Sequence, residues 1–491
     1  MTVVSVATSC EVVNGRRTFG ISRFLGIPYA EPPMGEARFA APRRRVAFTR
    51  PFDAFAYGAS APQRRSLPEP LARIAGTLVR FDEDCLHLNI WTPDTGAKLP
   101  VLVFIHGGGF VIGSGAQYPG GDLATRGDIV VVTINYRLGL LGFNAFDEVF
   151  EGDRRFAANA GLLDQVIALE WVRDNIEAFG GDPEAVTIAG ESAGAVSVAF
   201  HLVHDRSAPL FHKAVVQSGG LNLFYPKGEA VRVTRDILSE MGALRDPSRL
   251  LRFDTASFGR AMGALRHRHI GILSRPYVDG TTIPDLPLPV LYDRMKPVPL
   301  IVGTNRDEFS FFTELPMFPV KSDMRSLQAM VAAEAGQERA KIVRALYRDT
   351  KKDRIALGTD IMFRMPAIHL ADAHALRAPT FSYRLDWEAK GVLSGLGATH
   401  SVDLPLLFED FLKPFRSVYL GLLPDHARHA LGERMRDHWV AFVRDGRPGP
   451  AWPLYRPDAR RTMILGVKDR VADDPEATRR LAFAGVDGFT L

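Results

Sequence analysis

Cysteine is nearly absent: Cys10 and Cys85 are the only two in 491 residues. That count excludes a disulfide-stapled scaffold and points to a reducing compartment. An excess of one charge is missing as well. The chain has 60 basic and 56 acidic side chains, a formal net charge of +4, which leaves no footprint of a nucleic-acid binder. The runs Arg43-Arg44-Arg45 and Lys351-Lys352 read as solvated faces. The longest apolar runs, around Val101–Ile105 and Ile129–Ile134, fall far short of the ~18 residues a membrane span requires. The opening residues lack the basic start and apolar stretch of a secretory signal. The expectation is a soluble, cytoplasmic chain. No repeat, low-complexity tract or Ser/Gly/Pro linker divides it, so one domain is expected over residues 1–491, with a core that needs no metal or disulfide.

Cofactor signals are missing too. No dinucleotide fingerprint occurs, and no Gly-Lys-Ser/Thr follows a glycine cluster. Arg266-His267-Arg268-His269 resembles a metal site in composition only, and its alternation with arginine reads as a solvated loop. No cofactor or metal is expected.

What is present is strand followed by helix, repeated. Pro100–Ile105 and Asp128–Ile134 are unbroken apolar runs of the kind buried on both faces of a parallel sheet. Gly161–Phe179 steps apolar residues by three or four (Leu162, Val166, Leu169, Val172, Ile176), one stripe of an amphipathic helix. Ala185–Ala189 reads as a third strand and Ser192–Val203 as the helix after it. Residues 322–376 are helical in pattern and look like an insertion over the sheet. The fold class is therefore α/β, with a mostly parallel central sheet flanked by helices.

Two clusters carry chemistry. Gly190-Glu-Ser-Ala-Gly194 has the form G-x-S-x-G between a predicted strand and a predicted helix. Small neighbours let the chain turn sharply and leave a serine hydroxyl exposed, although the pentapeptide alone also fits an ordinary turn. His106-Gly-Gly-Gly109 follows the Pro100–Ile105 strand, and its glycines can present successive N–H donors to an anion. A plain flexible loop fits it as well. His106 reads as a residue that orients this loop.

The sequence resembles the type-B carboxylesterases of the α/β-hydrolase fold, the family of cholinesterases and bacterial para-nitrobenzyl esterases. Phe179-Gly-Gly-Asp-Pro-Glu-Ala-Val-Thr-Ile-Ala-Gly-Glu-Ser-Ala-Gly194 matches that family's serine signature throughout. Further matches are Phe24–Ala30 with Pro32-Pro33, Glu83–Trp91, Asn135–Gly139, Asn159 through Asn175-Ile176, and Trp452-Pro453. The resemblance implies Ser192 as nucleophile, Glu308 in Gly303-Thr-Asn-Arg-Asp-Glu308 as acid, and His400 in Thr399-His400-Ser-Val-Asp-Leu-Pro405 as base. That is the chain order of an α/β-hydrolase. Without it, nothing selects His400 among 13 histidines or Glu308 over Asp307. It further implies an oxyanion hole at Gly108, Gly109 and Ala193, helical insertions over the active site, and a support network of Glu191, Ser218 and Asp403.

Departures from the family matter. Ala61 stands where the usual partner of Cys85 would be, so that disulfide is missing, and no tryptophan lies between Ala61 and Cys85 to build a choline platform. Phe309 follows Glu308 where the family commonly has glycine, which points to a reshaped pocket wall. Phe110, Phe224, Phe309, Phe311 and Phe312 are candidates for an apolar gorge or for plain core, with Gly219–Tyr225 as a further wall. Arg275 reads as a surface arginine. The function implied is a serine carboxylester hydrolase acting on a small-molecule ester. An amidase or lipase of the same fold, and a catalytically silent binding module, are the alternatives. Oligomeric state is not legible.

Overall fold

The computed structural model describes residues 1–47, 50–64, 80–265, 268–269, 271–314, 320–411, 416–421 and 425–486. The chain divides into two compact units. The first comprises Met1–Ile188, His204–His212 and Phe224–Asp285, and the second Ala189–Val203, Lys213–Leu223 and Leu286–Leu491.

The first unit holds β1 (Thr2–Ala7), β2 (Val12–Thr18), β3 (Ile21–Pro28), β4 (Phe52–Asp53), β5 (His87–Thr92), β6 (Leu99–Ile105) and β7 (Val130–Ile134). β1, β2, β3, β5 and β7 pair antiparallel in that order, and β6 joins β7 in parallel. The runs read as doubly buried strands are so: every residue of β7 is buried, as is Val101–Ile105 of β6. The outer antiparallel strands are less covered, β1 largely exposed and β2 mostly half-buried, which makes them fainter in sequence.

The helix Ala160–Asn175 occupies the expected place, but it is buried well beyond one stripe. Asp164, Gln165 and Glu170 are inside with the leucines. The reason is Arg137, which meets Asp164 through Nη2 at 2.6 Å and Nε at 2.8 Å while both are fully buried. A buried charge survives only when paired and hydrogen-bonded in this way. A similar pairing takes Arg45 out of its expected solvated face: it reaches Glu11 at 3.2 Å with its side chain mostly buried, whereas Arg44 stays exposed on Glu170 and Asp174. Arg275 is also a correction. It is buried, with its guanidinium 3.6 Å from the centre of the Tyr225 ring. His269 is buried against Asp236 at 2.9 Å and is not part of a solvated loop; Arg266 and His267 lie outside the described residues. Cys10 and Cys85 are free thiols, Cys85 fully buried.

β8 (Gly181–Glu191) begins in the first unit and ends in the second. The second unit then contributes β9 (Lys213–Gln217), β10 (Leu300–Asn305), β11 (Thr380–Leu385), β12 (Arg461–Leu465) and β13 (Arg470–Asp473). β9 to β12 pair parallel in order, and β13 closes on β12 antiparallel. The architecture is thus a mixed sheet, mostly parallel where the chemistry-bearing strands lie, flanked by helices. The helix Ala193–Val203 is buried along its whole length. The helical region read over 322–376 is present as Met324–Ala345, Lys351–Thr359, a π-helical turn Asp360–Arg364, and Met365–His374. These helices share a core with Phe309, Leu327, Val343, Leu357 and Ile361. No helix among the described residues is long and apolar enough to cross a membrane.

Candidate active site

Ser192 sits alone between the end of β8 at Glu191 and the start of the helix at Ala193. Its φ is +58°, a backbone region that a residue with a Cβ occupies only when its surroundings hold it there. Two backbone bonds do so: Ser192 N–H donates to the Gln217 carbonyl at 2.9 Å, and its carbonyl accepts from Val196 N–H at 3.0 Å. Gly190 is required by the same turn, because a Cβ there would lie 2.4 Å from the Gly194 backbone. The result is a partly exposed serine at the mouth of a buried helix.

His400 meets that serine. Its Nε2 is 2.9 Å from Ser192 Oγ, and its Nδ1 is 2.6 Å from Glu308 Oε2. Glu308 is fully buried, and its other oxygen accepts from Ser218 Oγ and from Asn305 N–H, both at 2.6 Å. A buried carboxylate satisfied by three donors is held as an oriented anion. The same geometry separates Glu308 from Asp307, whose carboxylate receives Arg306 at 2.8 Å and Ala398 N–H at 3.0 Å. Asp307 pins the histidine loop; Glu308 touches the imidazole. Further staples run from Asn305 Nδ2 to the Thr399 carbonyl, 2.9 Å, and from Ser310 Oγ to Thr399 Oγ1, 2.8 Å.

The three support residues take different places around the Glu308–His400 pair. Ser218 bonds Glu308 directly. Glu191 lies beside the imidazole, with Oε1 3.3 Å from His400 Nε2 and accepting from Ser401 Oγ at 2.8 Å. Asp403 is held by Gln217 Nε2 at 2.7 Å and Asn305 Nδ2 at 3.3 Å, and its charge acts on Glu191 and His400. Ser218 and Ser401 share the positive φ of Ser192, at +60° and +63°, so strain gathers at this site.

The electrostatics follow from burial and charge. Burial opposes an imidazolium at His400, yet Glu191 and Glu308 outweigh it and lift the pKa above the ordinary 6.5. Burial lifts Glu191 as well, with Asp403 adding to the effect and His400 opposing it. The two titrations belong to one pair, since a neutral Glu191 withdraws part of the charge that raises the imidazole.

Sequence reasoning missed three positions. Phe363, on the π-helical turn, has its ring centre 4.9 Å from that of His400; thirty-seven positions separate the two, and nothing local links them. Ser401 and Asn305 are the others, the first adjacent to His400 and the second three positions before Glu308. Phe312 at 5.2 Å and Phe311 at 5.9 Å also flank the imidazole. Phe309 stands behind these rings, 6.0 Å from the ring centre of Phe312. It is fully buried in the helical core against Gly358, where a Cβ would come within 2.2 Å of its ring. Phe110 and Phe224 are buried residues of the first unit.

Ala193 opens the helix next to Ser192. Gly108 and Gly109 belong to the first unit, with φ +107° and +61°, and a Cβ on Gly108 would lie 2.1 Å from the Ile112 carbonyl oxygen. His106 orients that loop: its Nδ1 is 2.8 Å from the Gly107 carbonyl, Tyr136 stacks on its ring at 4.5 Å, and burial pushes its pKa down to about 4.

The chain is similar to known proteins along nearly its whole length. A model of the carboxylesterase family matches residues 3–483. The chain is 35% identical over 502 residues to the para-nitrobenzyl esterase of Bacillus subtilis (strain 168), covering 98% of each chain. It is 34% identical over 470 residues to the phenmedipham hydrolase of Pseudarthrobacter oxydans, covering 91% of this chain and 92% of that one. The solved structure of a thermophilic PNB esterase superimposes with a TM-score of 0.89 at 34% identity, covering 98% of this chain and 100% of that one.

Proposed function

We propose, from the premise that this chain belongs to the carboxylesterase family and is a carboxylester hydrolase, that Ser192, His400 and Glu308 carry out its reaction. The observation behind this is the continuous relay from Ser192 Oγ through His400 to Glu308, at 2.9 and 2.6 Å. Ser192 Oγ attacks the ester carbonyl as His400 Nε2 takes its proton, and Glu308 stabilises the imidazolium at Nδ1. Glu191 faces the same Nε2 and adds to that stabilisation. Negative charge growing on the carbonyl oxygen is taken up by the Ala193 N–H. We assign Gly108 and Gly109 as further donors from the resemblance and from backbone that suits glycine alone. His400 returns its proton to the departing alcohol. Water, deprotonated in turn by His400, then releases the acid from the acyl-serine.

The aromatic rings of Phe311, Phe312 and Phe363 around His400 favour a small-molecule ester with an apolar group, and the names of the relatives support the same class. Two free thiols support a reducing, cytoplasmic setting, which cell fractionation would check. The test of the reaction is hydrolysis of para-nitrophenyl esters from acetate to octanoate, alongside matched anilides. Ester turnover that falls by about 10⁴-fold or more in Ser192→Ala is expected. Turnover retained in that variant removes Ser192 as nucleophile, and faster cleavage of the anilides would make the protein an amidase.

A further inference from the structure

A cavity of about 40 Å³ lies in the second unit, lined by Gly303 and Thr304 of β10, Arg364, Ser382 and Arg384 of β11, and Arg460. At ~10–15 Å³ for each water-sized group, it has room for about three. Arg364 is the unusual member. Its side chain is 7% exposed, yet both of its terminal nitrogens are buried without a hydrogen-bond partner. Only its Nε is used, donating to Asp360 Oδ1 at 2.5 Å. Asp360 also accepts from the Tyr347 hydroxyl and faces Arg479 at 3.2 Å, both through Oδ2. Arg460 repeats the pattern. Its Nη2 reaches Asp372 at 2.9 Å, while its Nε is buried and unpaired.

Buried N–H groups left unsatisfied are costly, the more so on a cation. Two guanidinium groups offering three such donors at one cavity make a fork suited to an oxyanion, which accepts several N–H bonds at once. Arg384 is committed to Asp386 in a bidentate pair at 2.6 and 2.9 Å, and Asp474, which also lines the cavity, to Arg480 at 2.7 Å. Neither of these pairs supplies an acceptor to Arg364 or Arg460.

We propose that this cavity is a binding site for a small oxyanion, a carboxylate or a phosphate, held by Arg364 and Arg460. None of its lining residues belongs to the Ser192–His400–Glu308 relay, so the site does not depend on the reaction assigned above. It is nevertheless close to that relay in the chain. Phe363, next to Arg364, packs on His400, and Asn305, next to Thr304, donates to Glu308.

The test is calorimetric titration and thermal melting of the full chain with sodium acetate and with inorganic phosphate, against sodium chloride at matched ionic strength. Saturable binding and a rising Tm with acetate, phosphate or both, and none with chloride, is expected. The acetate and phosphate arms identify which oxyanion fits. In Arg364→Met, affinity should fall about tenfold or more. If circular dichroism shows that variant unfolded, Arg364→Lys takes its place, since it keeps a cation beside Asp360 and removes the fork. No saturable binding by the folded wild type overturns the proposal. So does wild-type affinity in either folded variant.

Discussion

The roles proposed for Ser192 and His400 rest on their neighbours, and the sharpest tests at the residue scale lie there. In that proposal Glu308, 2.6 Å from His400 Nδ1, orients the imidazole and balances its charge. Glu308→Gln keeps the shape but removes the anion, and kcat should fall severely, though less than in Ser192→Ala. Steady-state kinetics on one para-nitrophenyl ester would show it, and an unchanged rate would move the acid role to another residue. Glu191 acts on the proton affinity of the base. His400 accepts a proton only when neutral, so kcat/KM should rise with pH through an imidazole pKa above 6.5. Glu191→Gln removes one of the three carboxylates, with Glu308 and Asp403, that lift this value. The rising limb of the kcat/KM profile should therefore move to lower pH, and a limb that stays in place removes Glu191 from the electrostatics.

At the scale of elements, β8 and the helix after it hold the serine in strain, and β10 with the loop before His400 holds the acid and base. The helices around Phe309 support both by close packing. Phe309 N–H donates to Thr359 Oγ1 at 3.1 Å, and the Phe309 ring lies where the side chain of residue 358 would extend. Gly358→Ala therefore overpacks that contact. Denaturant unfolding should show a loss of about 1–3 kcal/mol, and undiminished stability would mean the ring has room to move. The π-helical turn Asp360–Arg364 has a second consequence. It sets Phe363 beside His400 while Arg364, one position on, lines the cavity.

At the scale of the whole molecule, stability also depends on every buried charge keeping its partner. Arg137 and Asp164 are both fully buried and paired in the first unit. Arg137→Met leaves Asp164 without its cation, and the expected cost is about 3–5 kcal/mol, read from the denaturant midpoint. Adding Asp164→Leu should recover much of that loss, because replacing both members of a buried pair with apolar groups is far milder than removing one. Failure of the double variant to recover would mean that the polar contacts of Arg137 with the Arg38 and Ala40 carbonyls matter more than its charge.

Local pattern by itself determined the strands β6, β7 and β8, the helix after Ser192 and the helical region from 324 to 374. Those elements show as continuous apolar runs or helical spacing, so their signal lies in neighbouring residues. Gly190 and Ser192 were legible for the same reason, since a sharp strand-to-helix turn demands small residues at fixed places. Glu308 and His400 could be named only through resemblance to a family, because 116 and 208 positions separate them from Ser192 and no local chemistry marks them. Tertiary structure alone decided the rest: that Asp307 staples a loop while Glu308 meets the imidazole, that Phe309 is core while Phe363 faces His400, and that Arg364 keeps two unpaired nitrogens at a cavity. Each depends on which side chains occupy the few ångströms around a buried charge or ring, and folding sets that distance between residues far apart in the chain.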